Sequence, residues 1–202
     1  MASVNKYKLS FTAAGLSLPE SVKIAEVYLN IKDWEKARKV IFEQNLLQSR
    51  TGSRTVRVFR ELTQRLELLS EPQLELLVEG NLQEQKYLLW FAVCKTYKII
   101  EEFAIEVLHD KFMSLNLQLT EFDYDAFFNR KADWNDDLET ITSSTRIKLR
   151  TVVFRMLKEA GLTSGDNLII QAMLSKRVVE VLKPNAPTSY QIFPLRLTDV
   201  EG

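Results

Sequence analysis

The stretch from Asn81 to about Leu117 constrains this chain most, because it leaves almost no polar face. Leu82, Leu89, Phe91, Val93, Tyr97, Phe103, Val107 and Leu108 spread around a helical wheel instead of along one stripe. A helix apolar on most sides is stable only when neighbours cover it. Two consecutive helices, about 81–100 and 101–117, are therefore predicted at the centre of a helical bundle. A membrane span is not an option: the longest apolar run reaches only from Tyr87 to Cys94, against the roughly 20 residues that a crossing needs.

Elsewhere apolar residues recur at helical spacing, punctuated by capping signals. Pro19-Glu20 opens a helix to about Asn30, with Val22, Ala25 and Leu29 on one face. Asp33 caps a second helix, 34–47, and Ser53 a third, running through Leu69 after a turn at Ser49–Gly52. Ser70-Glu71-Pro72-Gln73 begins a short fourth helix closed by Gly80, read as a C′ glycine. Thr120 and Asp123 resemble a capping box for a helix to about Lys131, and Asp133–Asp137 reads as an acidic loop. Thr142–Thr145 starts a helix ending at Ala160-Gly161, and Ser175 caps a last one to about Leu182.

Leu168–Gln171 and Tyr190–Pro194 are short strand candidates. The expected fold class is mainly α, a multi-helix bundle with a small winged-helix-like β element near the C-terminus. Three parts follow: residues 1–75 with a basic helix, 76–139 with the central apolar pair and an acidic segment, and 140–202 as the winged-helix-like module.

The total charge is balanced, with 27 basic and 27 acidic residues. The distribution is not. Residues 36–65 carry +6, residues 66–139 carry −10, and residues 140–183 carry +5. The balance thus hides two basic blocks around an acidic middle.

Sites for covalent or metal chemistry are scarce. Cys94 is the only cysteine and lies in an apolar run, which reads as an inert core thiol in a reducing compartment. His109 is the only histidine, so the Glu106-x-x-His109 spacing cannot be doubled into a carboxylate-bridged metal site. The six glycines are too scattered for a phosphate loop or a dinucleotide fingerprint. The acids at Asp123, Asp125, Asp133, Asp136, Asp137 and Glu139 lack calcium-loop spacing and read as a solvated or protein-docking surface. No signal peptide is visible at the N-terminus. The expectation is a cytoplasmic non-enzyme without a metal or other cofactor.

The basic blocks are the candidate functional surface. On the third helix Arg54, Arg57, Arg60 and Arg65 fall away from the apolar stripe of Phe59, Leu62, Leu66 and Leu69, and Arg50 precedes them in the turn. Guanidinium forks match phosphate oxygens, and Ser49, Thr51, Ser53 and Thr55 add short donors. Lys148, Arg155 and Lys158 line the helix 143–160 opposite its apolar face, with no acid between Thr140 and Lys158. Lys176 and Arg177 open the last helix, where a helix-turn-helix module presents residues to the major groove. The plainer alternative is a solvated face, or ion pairs to the acidic middle.

Several long strings carry a family resemblance. Lys6–Leu16, Glu20–Glu26, Leu76–Gly80, Glu84–Trp90 followed by Ala92–Lys95, Ser144–Arg150 followed by Phe154–Gly161, Leu174–Arg177 and Ile192–Pro194 together resemble the BrxA family. The resemblance runs from about residue 5 to 195 and contains no catalytic motif. It implies a small non-enzymatic component of BREX, the bacteriophage exclusion systems of bacteria, with a NusB-like helical fold. The expected partner is double-stranded DNA, held mainly by its phosphates, with other BREX proteins as further partners. An assembly adaptor without nucleic-acid contact, and an RNA binder of NusB type, stand as alternatives.

Overall fold

The computed structural model describes residues 7–47 and 52–200, the side chains of 52–54 excepted. The chain is mainly helical: α1 (Leu18–Ile31), α2 (Trp34–Glu43), α3 (Gly52–Leu66), α4 (Glu71–Glu79), α5 (Leu82–Thr96), α6 (Lys98–Phe103), α7 (Asp110–Met113), α8 (Glu121–Ala132), α9 (Asp136–Glu139), α10 (Ser143–Ala160), α11 (Lys176–Leu182) and α12 (Thr188–Gln191). A π-helical segment, Ala104–His109, joins α6 to α7.

Capping chemistry sets most of the helix starts. Asp33 accepts from Lys36 N at 3.0 Å. Thr120 and Asp123 close a reciprocal box, with Thr120 N donating to Asp123 Oδ2 at 2.7 Å. Asn81 accepts from Gln83 N and Glu84 N, and the Glu84 carboxylate accepts from Asn81 N at 2.8 Å. Each device satisfies donors that the first helical turn leaves unpaired.

α5 is the hub. Every residue from Tyr87 to Cys94 is buried, and the helix packs on α1, α3, α4, α10 and α11. Trp90 has no exposed surface, and its indole N–H donates to Ile192 O at 2.9 Å. Phe103 meets the rings of Tyr124 and Phe127, each at 5.4 Å between centroids. One contiguous core draws on the whole described chain, from Phe11 through Trp90 to Leu195. Burial pushes the Cys94 thiol well up, as expected for an inert core residue.

Two details differ from the sequence reading. The helix break falls at Tyr97, whose backbone is extended, a few residues before the expected boundary at about 100. Gly80 closes α4 with φ −69°, so no left-handed conformation calls for glycine. Close approach does: a Cβ there would lie 2.5 Å from Leu76 O. The left-handed cap is Gly161, at φ 74° after α10.

The winged-helix-like β element is the main correction. Among the described residues there is no sheet, only two isolated antiparallel bridges, Gln118 with Leu168 and Thr163 with Ile169. Residues 168 and 169 meet a different neighbour on each side for one pair, and neither pairing extends into a ladder. Residues 188–191 form α12, with Tyr190 donating to Val179 O at 3.0 Å. Ile192, Phe193 and Leu195 are all buried. Residues 192–195 run through a turn and bends, with Phe193 N donating back to Tyr190 O at 3.0 Å, so no strand forms there.

Candidate nucleic-acid interface

The surface is built on α10. Thr142 accepts from Thr145 N at 3.3 Å and starts the helix. Leu149, Val152, Val153, Met156, Leu157 and Ala160 turn inward. The opposite line, Ser144, Lys148, Thr151, Arg155 and Lys158, is exposed. From Lys148 to Lys158 this line rises about 15 Å.

Lys158 also donates to Gly165 O at 2.9 Å, and Arg155 Nε stands 3.6 Å from Glu159 Oε1. Among the described residues, Lys148 makes no ion pair.

α3 supplies the neighbouring edge. Phe59, Leu62 and Leu66 are buried, while Arg57 and Arg60 are exposed and make no ion pair among the described residues. A cavity of about 380 Å³ lies between the two helices, lined by Thr55 and Val58 from α3 and by Arg155 and Glu159 from α10. Glu159 is tied to the backbone there, accepting from Leu16 N at 2.6 Å. Its carboxylate fills the space where any side chain at Gly15 would start, with Oε2 2.5 Å from an added Cβ. Arg50 and the side chain of Arg54 lie outside the described residues.

Arg65 is a correction. Its side chain is only 3% exposed and pairs with Glu61 at 2.7 Å. It also donates to Gly15 O at 2.6 Å and Ala14 O at 3.3 Å. Glu61 accepts the Tyr97 hydroxyl as well. A wheel assigns one stripe to the core, but α3 is covered by α1, α5 and the turn Ser10–Ala13 together. That cover buries the flank bearing Glu61 and Arg65.

Lys176 and Arg177 are exposed but stand elsewhere. They line a groove against α4 together with Glu75, Glu79 and Glu180. Arg177 lies 3.6 Å from Glu84. The Ser175 hydroxyl, donating to Glu84 at 2.6 Å, holds that carboxyl below its ordinary value; the Asn81 N–H and Arg177 act the same way. The expected pair therefore meets acids of the chain itself.

The sequence reading missed Arg146 and Arg150, which carry the pairing to the acidic middle. Arg146 meets Asp125 at 3.1 Å; Arg150 meets Asp125 at 2.6 Å and Glu121 at 2.5 Å. A matching signal was present: two acids four apart on α8 face two arginines four apart on α10. Lys111 pairs with Asp123 at 3.0 Å and Lys131 with Glu102 at 2.8 Å, which neutralises more of the middle segment locally. Opposite charges thus cancel on one flank of α10, while the line from Lys148 to Lys158 faces outward.

Among the described residues no group of three or more His, Cys, Asp or Glu side chains is placed to hold a metal ion. No described helix is long and apolar enough to cross a membrane.

Comparisons with known proteins agree with one another. The BrxA family profile matches residues 5–186. A protein of Bacillus cereus (strain H3081.97) named "BREX protein BrxA" is 28% identical over 188 residues, covering 91% of this chain and 93% of the relative. Another of that name, from Escherichia coli O9:H4 (strain HS), is 25% identical over 142 residues, covering 70% of this chain and 67% of the relative. A crystal structure of an uncharacterized protein from Magnetospirillum magneticum superposes with a TM-score of 0.82 at 23% identity, covering 93% of this chain and 98% of the other. That likeness concerns the fold. The profile match spans nearly the whole helical array described above, and the chain belongs to the BrxA family.

Proposed function

We propose that this protein is a non-enzymatic component of a BREX phage-defence system that binds double-stranded DNA mainly through phosphates. The relatives' shared name supports the defence role. The observation that carries the DNA reading is the exposed line of Lys148, Arg155 and Lys158 along α10, with Arg57 and Arg60 exposed on α3 as further cations off that line. The nearby acids Glu121 and Asp125 are engaged by Arg146 and Arg150, and Glu159, 3.6 Å from Arg155, is the acid that remains beside this line. Phosphate contacts fix position without reading bases, so sequence preference is low.

Five cations neutralising about five phosphates give a slope of about −4.5 in log affinity against log salt. Affinity then falls roughly 500-fold between 50 and 200 mM salt. A mobility-shift titration with duplex DNA, single-stranded DNA and RNA checks this, and a flat salt response overturns it.

The adaptor reading has its own support. Phe122 and Trp134 are 77% and 83% exposed on the acidic part of the surface, which suits protein docking. Replacing Arg57 and Arg60 together by Glu separates the readings. Lost DNA binding with intact partner binding favours the first, and the reverse favours the adaptor.

A further inference from the structure

The other flank of α3 borders a second cavity, of about 660 Å³, distinct from the groove beside α10. Lys8, Arg38 and Arg60 line it from three separate segments. None of the three makes an ion pair among the described residues, although Glu35 and Glu67 line the same space. Aromatic faces position two of these cations instead. Lys8 Nζ lies 5.3 Å from the centre of the Tyr97 ring, and the Arg38 guanidinium 5.8 Å from that of Phe42.

Thr63 also lines the cavity, is 8% exposed, and its hydroxyl has no hydrogen-bond partner among the described residues. A helical threonine ordinarily bonds back to a carbonyl of the preceding turn, and buried hydroxyls are ordinarily satisfied. The oxygen itself has almost no accessible surface, so a turn of the side chain about Cα–Cβ brings it to a ligand in the cavity.

The ligand's chemistry follows from the mixture. Cations and a hydroxyl call for an anion with several acceptor oxygens. Carboxylates in the same cavity call for hydroxyl or amine donors on the same molecule. The volume suits a small molecule.

We propose that this cavity binds a nucleotide. Its phosphate ester rests on Lys8, Arg38 and Arg60 and accepts from Thr63, while Glu35 and Glu67 accept from the sugar hydroxyl or base amine. Only Arg60 is shared with the duplex-binding surface, so the two readings stand or fall separately. A free mononucleotide and the 5′-phosphorylated end of a strand offer the same chemistry.

Titration calorimetry of the full chain with deoxyadenosine monophosphate, deoxyadenosine and inorganic phosphate tests the site. Saturable binding of the monophosphate is expected, with deoxyadenosine at least about tenfold weaker for lack of the charge-assisted contacts. Arg38→Ala and Lys8→Ala each weaken binding by about tenfold. Thr63→Val also weakens it, and Thr63→Ser restores it. No saturable binding, or binding indifferent to Arg38→Ala and Lys8→Ala, overturns the proposal even if duplex DNA still shifts. Competition by a 5′-phosphorylated but not a 5′-hydroxyl oligonucleotide identifies a strand end as the source, and competition by neither identifies the free nucleotide.

Discussion

Replacing Arg65 by Met separates a structural arginine from a phosphate-binding one. Met keeps much of the side-chain length and removes the guanidinium. Glu61, 6% exposed, then keeps only the Tyr97 hydroxyl as partner among the described residues, and Gly15 O and Ala14 O lose the Arg65 donor. Breaking a buried pair from one side costs about 3–5 kcal/mol, because the remaining charge is left uncompensated. In a chain of this size each kcal/mol moves the melting temperature by about 2–4 °C. Thermal unfolding followed by circular dichroism should therefore show Arg65→Met melting about 6–20 °C below the parent. Removing the second charge as well, in Glu61→Leu/Arg65→Met, should recover at least half of that loss, since the isolated charge is the main penalty. Below its melting point, Arg65→Met should bind duplex DNA with the parent's salt slope. A melting temperature within about 2 °C of the parent refutes the structural assignment. So does a slope shallower by about one unit, the signature of one lost phosphate contact.

Other outcomes follow from single features of the fold. Trp90→Phe strips the donor from Ile192 O in the core and should lower the urea midpoint by about 2 kcal/mol equivalent, with m unchanged. Gly161→Ala forces a side chain to φ 74° and should cost about 1 kcal/mol, whereas Gly165→Ala, with nothing within 4 Å of the new Cβ, should melt with the parent. Glu84 has a folded value lowered below the ordinary one, first by Ser175. Its contribution is therefore complete above the unfolded value of about 4.3 and is lost as pH falls through the folded value. The stability gap between the parent and Glu84→Gln should be constant at neutral pH and shrink below about pH 4.

The helical bundle was largely legible in the chain. Asp33, Thr120, Thr142 and Ser175 cap the helices expected of them, because capping depends on residues within one turn. The burial of Tyr87–Cys94 was equally plain, since no exposed face was available to it. Leu168–Gln171 and Tyr190–Pro194 were misread as strands because short apolar runs carry no decisive period. Neighbours settled them: single bridges for the first, and for the second a turn of helix whose hydroxyls reach Leu182 O and Val179 O.

Charge divides in the same way. The sequence by itself determined that the basic residues fall in two blocks around an acidic middle, since charge along a chain needs no coordinates. Only the tertiary structure decided which cations meet acids. Arg65 is buried on Glu61, Arg146 and Arg150 reach α8, and Arg177 faces Glu84, while Lys148 and Arg57 face outward. Helical periodicity fixes where a side chain leaves its own helix. What it meets depends on which helices pack alongside, and that is set by contacts between segments far apart in sequence.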